Sequence, residues 1–410
     1  MASIYPFRAL MPAPEAAARV AAVPYDVVSR DEAAALASGN PVSFLLVSRP
    51  EIDLPPDADP HADGVYELAR ENFESLRQAA PLEQDDTATY YIYRLTDGEH
   101  TQTGIAAAVA VDDYDNDVVK KHERTRQDKE DDRTRHAFAL SAHTGPVFLT
   151  YPAVEAVDAE VARVTDFTAL FDFVAADGIR HEVWRADSVA TVRLQAMFAK
   201  VPAVYVADGH HRAKSASRVR ELCHDTVIVD DQHGYDRFLA VLFPSDQVRV
   251  LAYNRVVHDL NGLDAEEFRN RLAERFDIAP TAATIPEARG CFCMYVDGQW
   301  YAVSLRDKTS NLTGSPIAEL DVSILQDNIL APILGIDDPR SSTKIDFVGG
   351  IRGTTALQDA VDSGRGAVAF SMFPVSVDEL ISIADAGEIM PPKSTWFEPK
   401  LRDGLLSYCF

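Results

Sequence analysis

The sequence predicts an α+β protein in two parts, and three observations carry that expectation. Apolar runs of strand length and apolar residues at helical spacing are mixed along the chain without strict βαβ alternation. The pattern restarts after about residue 246, which divides the chain into an N-terminal α+β domain, 1–245, and a C-terminal α+β domain, 246–410. A length of 410 residues also exceeds what one hydrophobic core usually serves.

The elements follow in order. Pro6, Pro12, Pro14 and Pro24 punctuate an opening loop. Helical spacing runs from Asp31 to Leu36, and Ser43 to Val47 reads as a strand. A loop rich in proline and aspartate, Glu51 to Asp63, precedes an amphipathic helix carrying Val65, Leu68, Ala69, Phe73 and Leu76. Tyr90 to Leu95 and Thr103 to Val111 form a predicted hairpin through Asp97 and Gly98. Lys120 to His136 reads as a helix polar all round, and Val147 to Tyr151 returns to strand character. Residues 160–185 read as helix and then strand, Glu182 to Trp184, followed by a helix over Val189 to Phe198. A short buried strand, Ala203 to Val206, runs straight into DGHHRAKSASRVRE, and Phe238 to Phe243 closes this part.

In the second part a helix is expected over Asp264 to Phe276, with Phe268, Leu272 and Phe276 on one face. Cys291 to Val296 and Tyr301 to Leu305 pair across Asp297-Gly298, a hairpin turn sequence. Helices are expected at Asp321 to Leu330, Thr354 to Val361 and Val377 to Ala384, with a strand at Ala367 to Met372. The chain ends with a segment containing MPPKSTWFEPK, read as a folded tail.

Composition narrows the function classes. Hydrophobic residues make up 47% and charged residues 25%, as in a globular protein. The chain carries 39 basic and 64 acidic residues, a formal charge of −25, and so repels nucleic-acid backbones. No apolar stretch is long enough for a membrane span, and no secretory signal is visible at Met1 to Leu10. Cys223, Cys291, Cys293 and Cys409 have neither zinc-site spacing nor the pattern of a disulfide framework, so a reducing cytoplasm is the expected home.

Two segments carry chemistry. ADGHHRAKSA delivers Asp208, Gly209, His210, His211 and Arg212 from a buried strand to the start of a helix. A helix N-terminus suits a phosphate, and Lys214 adds a further donor. Asp208 would hold a magnesium ion or accept a proton. As local structure alone, the segment also reads as a capping aspartate with a hydrogen-bonded histidine pair; five polar residues at one strand–helix junction favour function. The second segment is KKHERTRQDKEDDRTRH. It reads either as a solvated helix with pairs such as Arg126 and Glu130, or as the lining of a polar cavity. In the functional version Glu123 is a general base and Arg124, Lys129 or Arg133 meets phosphate.

Other features are weaker. Tyr25-Asp26 is a pocket-lining candidate, and RSSTKIDFVGGIRG offers glycines and cations without the spacing of a P-loop. Lys393, Ser394, Thr395 and Lys400 are candidates for a lid, while His258-Asp259 reads as structural. His122-Glu123 is followed by Arg124, Thr125 and Arg126, so there is no HExxH, and neither a GxSxG elbow nor a protein-kinase motif set is present.

The chain resembles the bacterial and archaeal family known as domain of unknown function 1015. The resemblance rests on YPFRAL, VPYDVVS, SFLLVSRPEIDLP, KHERTRQDKEDDR, ADGHHRAKSA, KIDFVGGIRG and MPPKSTWFEPKLR. More distantly, His122-Glu123 and the strand with DGHHR are similar to motifs of the free-serine kinases in the ParB/sulfiredoxin superfamily, with a far longer stretch between them here. That resemblance implies a ParB/sulfiredoxin-like mixed core with an N-terminal extension. It implies phosphorylation of free L-serine to O-phosphoserine, or the reverse, with ATP or ADP and Mg2+. It implies catalytic roles for Glu123 and Asp208 and phosphate contacts from Gly209, His210, His211 and Arg212. His122, Arg124, Lys129, Arg133 and Lys214 are further substrate or phosphate contacts. The expected partners are a small amino acid and a nucleotide, with neither nucleic acid nor membrane, and a homo-oligomer is compatible with the sequence. Two other readings stay open: a nucleotide-binding regulatory module, and a metal-dependent phosphatase built on His210, His211, Asp208 and Glu123. The kinase reading expects the two motifs to fold back onto one cleft.

Overall fold

The apolar runs of the first half pair into one mixed sheet. The computed structural model describes residues 1–226, 234–306 and 315–410. It divides into a first unit, Met1–Lys121 with Thr125–Val248 and Pro399–Phe410, and a second, His122–Arg124 with Arg249–Glu398. Among the described residues the first unit holds a nine-stranded sheet. Its path runs through Val119–Lys120, Val204–Asp208, Val147–Tyr151, Arg237–Pro244, His100–Ala110, Tyr91–Asp97, Arg180–Arg185 and Phe171–Val174. Ile4–Tyr5 pairs beside this path, on His100–Ala110.

The two central strands are buried on both faces. Ala106, Ala107, Ala108 and Val109 lie opposite Val241, Ala240, Leu239 and Phe238, and all are enclosed. A continuous apolar run, rather than alternation, is what a doubly covered strand requires. Helices Glu155–Thr165 and Ser188–Phe198 contribute Val157, Val161, Val164, Leu194 and Phe198 to this core, and helix His210–Thr226 contributes Ala213 and Ala216. A second cluster joins Ala69, Phe73 and Leu76 of helix Asp63–Ala79 to Phe44, Leu45 and Leu140.

The second unit has its own sheet of six strands among the described residues, all antiparallel. Its core gathers Val256, Cys293, Tyr295, Trp300, Leu357 and Ala369. The hairpin Cys291–Val296 with Gln299–Leu305 forms as expected, because Asp297 and Gly298 both take positive φ, 51° and 74°, as that turn requires. The α+β expectation holds. No helix of the described residues is long and apolar enough to cross a membrane.

Several elements differ from the reading of the sequence. The run around Ser43 to Val47 is not a strand: Leu45–Ser48 is one helical turn that buries Phe44, Leu45 and Val47. A short apolar run fits either element, and here the Phe44 N–H bonds to the Val20 carbonyl rather than to a ladder. The polar helix does not start at Lys120, which ends a strand; it spans Gln127–Leu140. Phe276 leaves the preceding helix, Ala265–Leu272, and opens the strand Phe276–Pro280. Asp321–Leu325 is α-helical and passes into a π turn, Gln326–Leu330.

The tail is folded into the first unit. Leu401, Leu405 and Leu406 are buried, and Tyr408–Cys409 pairs with Ala142–His143. Gly404 sits at φ 83°, and a Cβ there would stand 2.3 Å from the Phe44 ring. Gly404→Ala should therefore lower unfolding free energy by at least about 2 kcal/mol, from backbone strain and overpacking together. Denaturant titration measures this, and an unchanged midpoint would show that the tail is not locked against Phe44.

Candidate functional site

The DGHHR segment lies where the sequence puts it, between a buried strand and a long helix. Val204, Val206 and Ala207 are enclosed, flanked by Val119–Lys120 in parallel and Val147–Tyr151 antiparallel. The register shifts between Val206 and Asp208, an irregularity of the kind that re-aims the last residue of a strand. Gly209 then takes φ 90°, and its carbonyl accepts the Ala213 N–H at 3.0 Å as the helix begins. The helix runs 17 residues from His210, so its positive end faces this junction.

Asp208 has both carboxylate oxygens engaged. One accepts the Gly209 N–H at 2.8 Å, and the other meets the Lys400 ammonium at 2.9 Å. Burial alone would raise its pKa. The charges of Lys400 and Arg212, with the bonds from Lys400 and Gly209, overcome that and hold it far below the usual carboxylate range. Asp208 is therefore a permanent anion rather than a proton acceptor at neutral pH. A magnesium ion at this carboxylate would have to displace Lys400.

Arg212 turns inward, away from a role as an open phosphate contact. Its guanidinium donates to the Pro146 carbonyl at 2.8 Å and stands 3.7 Å from Asp403. It passes so close to Gly209 that a Cβ there would lie 3.0 Å from its Nε. The glycine thus answers both a positive φ and the close passage of a side chain. His210 is buried, while His211 and Lys214 are half-buried. The Ser215 hydroxyl donates back to the His211 carbonyl at 2.7 Å.

The polar helix is not a solvated one. Glu130, Asp132, Thr134 and His136 are buried on it. Arg126 pairs with Asp128 at 2.8 Å rather than with Glu130, and Glu130 lies 3.6 Å from Arg218. Arg133 bonds Asp132 at 2.8 Å and stacks over the Tyr25 ring at 4.0 Å, while Lys129 is half-buried. Asp132 also accepts the Tyr66 hydroxyl at 2.9 Å. Its pKa stays low although burial pushes it up, because Arg133 and Tyr66 oppose that push.

Arg133 and Arg212 border one cavity of about 40 Å³, together with Tyr25, Ser48, His143 and Asp403. Gly145 makes room for it: a Cβ there would come within 2.5 Å of Asp403 and 3.2 Å of Arg212. Burial pushes Asp403 up to about 7, against the pull of Arg212. Tyr25 was legible as a pocket residue and Lys400 as one that reaches a site. Asp403 and His143 were not, since a lone aspartate and a lone histidine outside any motif carry no spacing signal.

In the second unit His122 is buried, Glu123 is half-buried and Arg124 is exposed. The His122 carbonyl accepts the Met390 N–H at 2.8 Å, and its Nε2 lies 3.4 Å from the Thr395 hydroxyl. The HE motif and the MPPKSTW segment therefore lie side by side there.

A family model described as protein of unknown function (DUF1015) matches residues 4–323. No curated protein matches the chain. Among solved structures it is similar to a free serine kinase in complex with AMP, with 14% identity and a TM-score of 0.35, covering 74% of this chain and 92% of that one. It is also similar to a C-terminally truncated SbnI from Staphylococcus aureus, with 13% identity and a TM-score of 0.39, over 73% and 85% of the two chains. A conserved hypothetical protein from Pyrococcus furiosus matches with 12% identity and a TM-score of 0.35, over 74% and 94%.

Two outcomes test the electrostatics. Lys400→Met should cost roughly 1–3 kcal/mol at pH 7, because it strands the Asp208 carboxylate. That difference should shrink below about pH 4, where the unfolded carboxyl is already protonated and the folded one loses its advantage. Urea titrations at both pH values measure it, and equal losses at both would reject the ion pair as the cause. Burial also pushes His136 and His143 down to about 4, and His181 to about 2. These rings stay neutral in the fold, whereas the unfolded chain takes up protons below about pH 6.5, so stability falls as pH drops from there toward 4. His136→Gln, which can keep the bond to the Val47 carbonyl, should reduce the proton uptake on unfolding by about one near pH 5. An unaltered pH slope would contradict the buried neutral ring.

Proposed function

The chain belongs to the DUF1015 family, and we propose that it is a nucleotide-dependent phosphotransferase acting on a small hydroxyl amino acid, with L-serine the first candidate. The supporting observation is the junction at Asp208: a buried strand, a glycine with positive φ and the positive end of a long helix, carrying the same DGHHR motif as the free-serine kinases it resembles. A ParB/sulfiredoxin-like core for the residues around that junction, within a domain over residues 1–245, is part of the same proposal.

The chemistry assigns work by residue. A serine hydroxyl is a poor nucleophile at neutral pH and needs a carboxylate to take its proton; that role goes to Glu123. The charge on a migrating phosphoryl group needs fixed donors, and the helix N-terminus with His210, His211 and Lys214 supplies them. ATP or ADP, when bound, supplies the phosphoryl group. Asp208 keeps the Lys400 ammonium at the junction, and that ammonium is a further cation for the phosphate end. Arg212, one nitrogen of which is held by Pro146 and Asp403, is left out of the phosphate contacts. Magnesium belongs to the proposed reaction as a phosphate-bound ion, and no step here runs through it.

The test is a coupled assay of the purified chain with magnesium, ATP or ADP, and each hydroxyl amino acid in turn. Nucleotide consumption that depends on serine, with O-phosphoserine formed, is the expected result. Glu123→Gln should lower turnover by about 10²-fold or more while nucleotide affinity stays within about twofold. Nucleotide loss at the same rate with and without any hydroxyl amino acid would end this reading and leave a regulatory module or a hydrolase in its place.

A further inference from the structure

The cavity between Arg133 and Arg212 has an unusual inventory for an enclosed space. Four of its polar atoms are buried and make no hydrogen bond: the Tyr25 hydroxyl, the Ser48 hydroxyl, His143 Nε2 and one Asp403 oxygen. Arg212 Nε is in the same condition. Buried polar atoms in a folded chain are almost always satisfied by protein or water, so five around one cavity mark a place that something polar fills. The side chains of Arg133 and Arg212 keep 11% and 12% of their area exposed.

The chemistry of the five atoms selects the occupant. Arg212 Nε can only donate and the two hydroxyls can donate, whereas the neutral His143 ring, bonded to the Arg237 backbone through its other nitrogen, offers Nε2 as an acceptor. Those donors, flanked by two guanidinium groups, match a carboxylate. The Asp403 oxygen is an acceptor on the same wall, and a simple anion would leave it facing like charge. A molecule with a carboxylate and an ammonium on adjacent atoms satisfies both sides at once. A space of about 40 Å³ admits a head group of that size and leaves little for a large side chain.

We propose that this cavity binds the zwitterionic head of a free α-amino acid, its carboxylate between Arg133, Arg212 and the Tyr25 hydroxyl and its ammonium on Asp403. The assignment deepens the phosphotransferase reading by giving the acceptor a head-group site. It is tested without nucleotide, so that either idea can fail alone.

The experiment is calorimetric titration of the full chain with L-serine, L-alanine, L-serinamide, 3-hydroxypropanoate and inorganic phosphate. L-serine and L-alanine should bind with similar affinity, since the head group is shared. Serinamide, which lacks the carboxylate, and 3-hydroxypropanoate, which lacks the ammonium, should each bind at least about tenfold more weakly, the size expected for one lost charged hydrogen bond. Tyr25→Phe removes a hydroxyl that has no partner in the fold, so it should keep the wild-type melting temperature and weaken L-serine by about threefold to tenfold. Asp403→Asn should weaken L-serine and leave 3-hydroxypropanoate bound at least as tightly as before, since the like charge that faces it is gone. The proposal is overturned if no amino acid binds, if phosphate binds more tightly than L-serine, or if removing either charged end of the ligand has no effect. Amino-acid binding without any nucleotide turnover would sustain this site and remove the kinase reading.

Discussion

Charge withdrawn from water has to be matched inside the fold, and in the first unit that matching begins at Asp208. A strand buried on both sides ends on a carboxylate, an arrangement that would be unstable if the carboxylate stood alone. Lys400 arrives from the tail to neutralise it at 2.9 Å, and the amide of Gly209 takes the second oxygen. This one pair ties the end of the chain to the strand Val204–Asp208, one in from the edge of the sheet. It also fixes the charge of the junction, because Asp208 stays ionised through the neutral range. Everything proposed about phosphate chemistry at this turn presumes that the cation and the helix end are held in place by it.

From that pair a polar network extends beneath the surface. Arg212 leaves the helix start and reaches Pro146 and Asp403, and Arg133 leaves the polar helix and covers Tyr25. Four segments remote in sequence contribute: the loop at Tyr25, the helix at Arg133, the turn at Asp208 and the tail at Lys400 and Asp403. Polar interiors of this kind are demanding, since each unmatched atom is costly and each matched one limits how its neighbours pack. Gly145 and Gly209 are part of the solution. At both positions a Cβ would enter the space of Arg212, so the glycines serve the guanidinium as much as the backbone.

The regular elements were largely legible, and the reasons are local. The hairpin at Asp97-Gly98 and that at Asp297-Gly298 announce themselves through turn chemistry, and the long amphipathic helix through the spacing of Val65, Ala69, Phe73 and Leu76. Short apolar runs were less secure: Phe44 to Val47 suits a strand or a helical turn, and its neighbours decided for the turn. The polar helix shows a different limit. Its side chains read as solvated because no apolar stripe is present, yet Glu130, Asp132 and His136 are buried. Hydrophobic periodicity carries no information about a face that is buried against other polar groups.

The amino-acid order by itself determined the class of fold, most of its strands and helices, the strand–glycine–helix junction at DGHHR and the family to which the chain belongs. Each of these is encoded in contiguous residues, through periodicity, turn preference or an unbroken motif. Tertiary structure alone decided that Lys400 neutralises Asp208, that Arg212 faces inward and that Tyr25, Arg133, His143 and Asp403 enclose a common space. Those relations join residues remote in sequence, 192 positions apart in the case of Asp208 and Lys400. Their energies depend on distance and burial, and neither quantity exists until the chain has folded.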